Sequence, residues 1–372
     1  MIAFLYGALQ ETDGYRPEVI SLARSSHDEA SVRIASPRTW GSGPKVVTRT
    51  ARGIEHRHIG AWFSELEPFR YRPRALLDDV LSEFDFLQFV TGNPPWACVA
   101  RNVDRPTFLW TATTLWEDRE TRLSADQGAK ALWRRAMTRR AQSYERRALE
   151  EVDGVFALSE YTCRNLRDQF SVDARIAPQG IDVDQFHPVD DPEEGYVLTV
   201  SRINDPRKRI PLLLRAYATA KQHSSSIPEL YIVGDEPSDD LRRETAELGI
   251  AEDVRYLGTL PRPELIRLYQ NALCFVLSSD EEGLGIVILE AMASGQPVIS
   301  TRCGGPEMLV EEEETGLLTP VGDEEALAYG LLRLTNDSER RTGMGKKARE
   351  RTERHFSIEA AKQPFLNVYE NY

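Results

Sequence analysis

Glu282 and Glu290 stand eight positions apart, and between them lie the small-residue turn Gly283-Leu284-Gly285-Ile286 and the start of an apolar run that stops at Gly295. Carboxylates accept paired hydrogen bonds, so two at this spacing suit the hydroxyls of a sugar or a ribose. The apolar strand Ala272 to Leu277 comes before the turn, and Pro297-Val298-Ile299-Ser300-Thr301 reads as the next buried strand. Strand, turn, helix, strand is a parallel crossover, and open α/β sheets bind ligands where such strands end. Gly283 and Gly285 let the backbone pass close to a ligand, and the N-terminus of the helix that follows favours a phosphate. Glu282 then sits on the turn beside the anion, and Glu290 is roughly one and a half turns into the helix. A solvated turn acid and a helix-surface acid are the plain alternative. The coincidence of glycine spacing with both acids weighs against it.

A second charged group belongs to the same half of the chain. Tyr196-Val197-Leu198-Thr199-Val200-Ser201-Arg202 reads as a strand ending in a cation, and Pro206-Arg207-Lys208-Arg209 follows just before an amphipathic helix from Ile210 to Gln222. Arginine can fork two phosphate oxygens, whereas lysine supplies a compact charge. Taken alone, these cations read as a solvated basic loop. At a strand's carboxyl end they read as a diphosphate clamp.

Together these segments resemble the retaining glycosyltransferases of the GT-B fold, the group 1 (GT4-like) family, whose signature is Glu-x7-Glu. The resemblance implies that Glu282 lies near the donor sugar and Glu290 binds the nucleotide ribose. By the same match the backbone of Gly283, Leu284, Gly285 and Ile286 approaches the donor, and Arg202 and Lys208 neutralise its diphosphate. Leu230-Tyr231-Ile232-Val233-Gly234-Asp235 and Val254-Arg255-Tyr256-Leu257-Gly258 match further family strands. The second of these implies a place for Tyr256 against the base. Gly180-Ile181-Asp182, with Phe186 and Pro188, is similar to the family's interdomain linker. The resemblance is dense from about residue 152 onward and thin before it.

It implies an α/β chain of GT-B type, two doubly wound Rossmann-like domains facing each other across a cleft. Residues 1–185 form the acceptor-side domain, with 356–372 packing back on it, and 186–355 form the nucleotide-sugar-binding domain. Strands expected in the first are Glu18–Leu22, Val32–Ala35, Phe86–Val90, Thr107–Thr111 and Val155–Leu158, with a strand-like run at Ile2–Leu5. The family's opening strand, Gly-Gly loop and helix are not legible in Met1–Gly14. The histidine that often follows its mid-domain strand is missing after Phe108-Leu109-Trp110. Thr111, Thr114 and Trp116 stand there instead and are the acceptor candidates. Trp110 and Trp116 flank a hydroxyl-rich turn, which suits either stacking on a sugar ring or two core residues beneath a loop.

Composition narrows the class. The 372 residues carry 46 basic and 59 acidic side chains, a net charge of −13 that argues against general nucleic-acid binding. Apolar runs are too short to span a bilayer, and no signal peptide is recognised, which points to the cytoplasm. Cys98, Cys163, Cys274 and Cys303 show neither disulfide nor metal spacing. No Gly-x-Gly-x-x-Gly follows a strand and no phosphate-binding Gly-x4-Gly-Lys-Ser/Thr loop occurs. The only Asp-x-Asp, Asp182-Val183-Asp184, lies in the linker-like segment, so no metal cofactor is expected.

Against the acidic background, Lys130 to Arg147 carries Lys130, Arg134, Arg135, Arg139, Arg140, Arg146 and Arg147 and a single acid, Glu145. Leu132, Trp133, Ala136, Met137, Ala141 and Tyr144 recur there at helical spacing. The plain reading is a surface helix that buries this stripe. The other is a helix lying on an anionic inner-membrane face. The expected function is a metal-independent, retaining, hexosyl-type transfer from a nucleoside-diphosphate sugar (UDP or GDP type) to a hydroxyl of a glycan, a lipid-linked or a small-molecule acceptor. An isomerase of the same fold and a catalytically silent binding or assembly subunit are the alternatives.

Overall fold

The computed structural model describes residues 1–119, 128–189 and 195–372, with the side chains of 129 and 130 left aside. It divides into two compact units, one of Met1–Leu158, Thr162–Ala177 and Lys362–Tyr372, the other of Ser159–Tyr161 and Pro178–Ala361. The division falls at Ala177 because the linker-like segment is held by the second unit. Ile181 donates its N–H to Phe356 O at 2.8 Å, and Arg349 reaches the carbonyls of Val183, Phe186 and Ala293.

The first unit contains a three-stranded sheet of β1 (Ile20–Leu22), β2 (Val46–Ala51) and β3 (Ile54–Ile59), and a parallel sheet of β4 (Leu87–Thr91), β5 (Thr107–Thr111), β6 (Gly154–Ala157) and β7 (Arg175–Ile176). Every residue of β5 is buried, as expected of a parallel strand covered on both faces. The C-terminal residues complete this core. Phe365 lies 4.8 Å from Trp110 and 4.7 Å from Phe156, and Tyr369 lies 4.6 Å from Phe86, centroid to centroid.

Two expectations for this unit are corrected. Ile2–Gln10 is a helix, since Phe4, Leu5, Ala8 and Leu9 recur at helical spacing and bury one face, with Phe4 edge-on to Trp110. Val32–Ala35 forms no strand and makes only a single bridge, Val32 to Trp62. The β2–β3 hairpin went unrecognised in the sequence. β2 is largely exposed and β3 buries two histidines rather than an apolar stripe, and the turn uses Arg52 and Gly53, both at positive φ.

The second unit is a six-stranded parallel sheet in the order β10-β9-β8-β11-β12-β13. These are β8 (Tyr196–Val200), β9 (Leu230–Val233), β10 (Val254–Gly258), β11 (Ala272–Leu277), β12 (Val298–Thr301) and β13 (Gly316–Thr319). The order reverses between β8 and β11, the topological switch point at which doubly wound sheets bind ligands. Helices Ile210–His223 and Glu324–Asn336 cover one face, closing a core that includes Val197, Leu213, Tyr217, Val276, Ile299 and Leu331.

Candidate functional site

The two charged motifs leave neighbouring strands at that switch point. After β8 the chain makes a tight turn at Pro206–Lys208, capped by the Asp205 carboxylate, and Arg209 adopts a left-handed conformation at φ 49°. Pro211 then opens helix Ile210–His223. After β11 the chain turns through Ser278–Gly285 into helix Ile286–Ala293, with Gly285 at φ 92° as its N-cap. Glycine is required there because a side chain at that φ would be strained. The two turns are laced together by backbone and hydroxyls. Asp280 N–H donates to Arg207 O at 2.8 Å, and Ser278 Oγ donates to Lys208 O at 2.8 Å.

This scaffold brings Lys208 and Glu282 into an ion pair, Nζ to Oε1 at 2.5 Å, with the two side chains only 12% and 13% exposed. Ser279 Oγ donates to the same oxygen at 2.8 Å. Oε2 of Glu282 accepts no hydrogen bond among the described residues. The main chain of Glu282 is pinned too, its N–H to Cys303 O and its carbonyl to the Gly305 N–H. A β-carbon on Gly305 would stand 2.3 Å from Leu284 Cα, so glycine is what permits the Gly283–Gly285 turn to sit on β12's extension.

Glu290 is partly buried on helix Ile286–Ala293 and accepts from the Tyr269 hydroxyl through Oε2 at 2.8 Å. Burial raises its pKa, although the Tyr269 hydrogen bond and the Arg262 charge oppose that. Tyr269 is fully buried, and burial together with Glu290 keeps its proton in place. Oε1 of Glu290 accepts no hydrogen bond among the described residues. Each acid of the pair therefore has one carboxylate oxygen held by the protein and one that accepts no hydrogen bond among the described residues.

Arg202 differs from Lys208. Its side chain is 61% exposed and pairs with Asp205 at 3.1 Å. Asp205 also takes Arg207 through both oxygens. Burial works against the Asp205 carboxylate, but the Arg207 hydrogen bonds and the two cations outweigh it and hold its pKa below the usual range. Among the described residues no three His, Cys, Asp or Glu side chains group as metal ligands.

Residues 181–351 match the family model of group 1 glycosyl transferases, and residues 4–185 match that of glycosyltransferase family 4. The chain belongs to the group 1 glycosyltransferases. It is 30% identical over 253 residues to a D-inositol 3-phosphate glycosyltransferase of Salinispora tropica, covering 60% of this chain and 52% of that one. It is 34% identical over 198 residues to the sulfoquinovosyl transferase SQD2 of Arabidopsis thaliana, 49% and 37% of the two chains. The matches thus span about half the length of these curated relatives or less. Among solved structures, sucrose-phosphate synthase from Thermosynechococcus elongatus superposes with a TM-score of 0.68 over 95% of this chain and 97% of its own, at 23% identity. Anabaena HepE in complex with UDP and glucose gives 0.65 over 80% and 81%, at 20% identity. These likenesses show the GT-B fold.

Within this group 1 glycosyltransferase, Glu282, Glu290, Lys208 and the Gly283–Ile286 turn gather around one sheet edge. Tyr256 does not join them. Its partly buried ring packs on the core of the second unit and its hydroxyl shares a 2.8 Å hydrogen bond with Thr245. The acceptor candidates fare differently from one another. Thr111 is buried and its hydroxyl donates to Thr113 O. Thr114 is buried and exchanges hydrogen bonds with Glu117 as the cap of the helical turn that follows. Trp110 is a core residue whose indole donates to Ala177 O at 2.9 Å. Trp116 remains exposed. Neither threonine hydroxyl is therefore available as expected.

Helix Gly128–Glu151 contains the basic stretch. Ala141 and Tyr144 pack inward, but Leu132 is 70% and Trp133 59% exposed, so the first part of the apolar stripe is not buried as the plain reading expects. The sequence reading missed Ser279 and Tyr269, the two hydroxyls that orient the acids. Ser279 stands three residues before Glu282 on the same turn, a spacing at which a hydroxyl can reach the carboxylate. Tyr269 lies on helix Arg262–Asn271 and carried no local signal.

Proposed function

We propose that the chain is a retaining, metal-independent glycosyltransferase that moves a sugar from a nucleoside-diphosphate donor to a hydroxyl acceptor. One observation carries this reading. At the switch point of the second unit, two acids each offer a single carboxylate oxygen beside a clamped lysine and the N-terminus of helix Ile286–Ala293. Glu290 takes a ribose hydroxyl through Oε1, and Glu282 takes a hydroxyl of the donor sugar through Oε2. The diphosphate lies on the Gly285–Ile286 N–H groups and Lys208, with Arg202 reaching it from solvent. As the bond from the sugar carbon to the diphosphate oxygen breaks, negative charge grows on the leaving group, where fixed charges lower the barrier most. HepE, similar in fold, is described in complex with UDP and with UDP-glucose, which supports a nucleotide donor.

The exposed Leu132 and Trp133 beside exposed Arg135, Arg139 and Arg140 further support peripheral contact with an anionic membrane. Reversing those three arginines abolishes binding to anionic vesicles at low salt if so. A wild-type protein that ignores such vesicles points to a soluble acceptor.

Incubation with UDP-, GDP- and ADP-sugars tests the main reading. Slow donor hydrolysis or transfer supports a transferase. Interconversion of sugars indicates the isomerase, and binding without turnover indicates a silent subunit.

A further inference from the structure

The first unit holds a cavity of about 210 Å³ lined by Trp62, Phe63, Phe69, Arg72, Pro73 and Arg74. It lies where β3 ends and the chain runs through Gly60 and Ala61 into Trp62 and Phe63. Its rim is firmly set. A β-carbon on Gly60 would fall 1.9 Å from Ala30 O, and the N–H groups of Lys45, Val32 and Gly60 tie the neighbouring loops to one another. Phe63 is held at φ 48°, a left-handed conformation unfavourable for a bulky side chain. Such strain persists where the surroundings over-determine it, and it recurs at ligand clamps.

Three aromatic rings form the walls. Phe63 meets Phe69 edge-on at 5.7 Å, Trp62 lies 6.2 Å from Phe63 and is 42% exposed, and the Arg72 guanidinium covers Phe69 at 4.2 Å. The polar partner is Arg74, which is 8% exposed. Its Nη1 makes long bonds to Arg70 O and Arg72 O, at 3.4 and 3.3 Å, while Nε and Nη2 have no hydrogen-bond partner among the described residues. Ser64 Oγ, fully buried on the adjoining turn, is unpartnered as well. Neither nearby acid hydrogen-bonds this fork, although the charges of Asp78 and Asp28 favour its protonated form. Asp28 is taken up by Ser31, Arg49 and His58, while Asp78 Oδ2 accepts from Asn102 at 3.3 Å and its Oδ1 is buried without a hydrogen-bond partner among the described residues.

A buried guanidinium whose Nε and Nη2 make no hydrogen bond is costly, and its planar fork matches two oxygens of a phosphate or carboxylate. Aromatic walls suit the apolar face of a ring. We infer that this cavity is a binding site for a ring ligand bearing an oxyanion, with the oxyanion on Arg74 and Arg72 and the ring against Trp62 and Phe69. It lies wholly within the first unit and stands apart from the donor reading.

Calorimetry without any nucleotide sugar tests it, using glucose 6-phosphate, glucuronate, glucose and inorganic phosphate. The site predicts that at least one of the two anionic sugars binds tenfold or more tighter than both glucose and inorganic phosphate. Which of them binds better identifies the oxyanion. Trp62→Ala, a change at an exposed residue, weakens that sugar threefold or more. Arg74→Gln removes the preference over glucose and leaves nucleoside-diphosphate affinity unchanged. Because Arg74→Gln is a buried change, its fold is checked by circular dichroism, and Trp62→Ala and Arg72→Ala carry the test if it unfolds. Anionic sugars that bind no better than glucose, or binding indifferent to Trp62 and Arg72, overturn the inference and leave the transfer reading standing.

Discussion

Lys208 and Glu282 share one short ion pair, so the two substitutions predict opposite effects on the diphosphate. Lys208→Met removes a cation that is only 12% exposed and that, in the proposed function, meets phosphate oxygens. A charged hydrogen bond of this kind contributes about 1.5–3 kcal/mol, which corresponds to a loss of roughly 10- to 150-fold in nucleoside-diphosphate affinity. Glu282→Gln leaves Lys208 in place but strips its counter-charge, so the diphosphate no longer competes with a carboxylate 2.5 Å away. Affinity for the nucleoside diphosphate then holds steady or rises up to about tenfold, while turnover falls because the donor sugar loses an acceptor oxygen. Both variants lose some stability, because each leaves a poorly exposed charge without its partner. Arg202→Ala costs less than Lys208→Met, since Arg202 is 61% exposed and its charge is screened. Titration calorimetry with UDP, GDP and ADP at low salt, with the free nucleoside as control, reads each effect. Lys208→Met binding within twofold of wild type, or losing nucleoside and diphosphate equally, refutes the clamp.

Three further outcomes follow from the same geometry. Gly305→Ala drives a β-carbon into the Leu284 backbone and lowers the stability of the second unit by at least about 2 kcal/mol, visible as a drop of roughly 4–8 °C in its melting temperature. Glu145 is fully buried, and burial raises its pKa from 4.5 to about 7. A raised carboxylate stabilises the fold below pH 4.5 and loses that stabilisation as the pH climbs through about 7, up to about 3 kcal/mol in all. Glu145→Gln therefore matches wild type in urea melts near pH 5 and exceeds it at pH 8; equal differences at both values would show that Glu145 does not titrate in this window. Finally, the proposed function puts leaving-group charge on Lys208 and the helix end, so it predicts that turnover survives EDTA. Activity lost on chelation and restored by magnesium or manganese counts against that assignment.

Much of the second unit was legible because its central strands are buried on both faces. Ala272–Leu277 reads directly as an apolar run bounded by turn residues, and the strand has those limits; the edge strand Val254–Gly258, only partly buried, was placed by its match to a family strand. The acids and the lysine were legible as a motif, but what holds them was not, since Tyr269 reaches Glu290 from a different helix. The first unit yielded less. Its hairpin lacks an apolar face and turns on Arg52-Gly53 rather than Asn-Gly, so neither usual hairpin signal was present. Composition also misled at Thr111 and Thr114. A hydroxyl-rich turn looks open to ligand, yet Thr114-x-x-Glu117 is a capping box, a local signal that those groups are already used.

The central claim is that a nucleotide sugar held at the β8–β11 edge gives up its sugar with its configuration kept. Time-resolved proton NMR of an α-configured nucleotide sugar incubated with the enzyme reads this directly from the anomeric coupling. The account predicts that the first sugar product, transferred or hydrolysed, carries the α configuration and appears in step with free nucleoside diphosphate. A β product appearing first, or no turnover and no binding with any UDP-, GDP- or ADP-sugar, would contradict it.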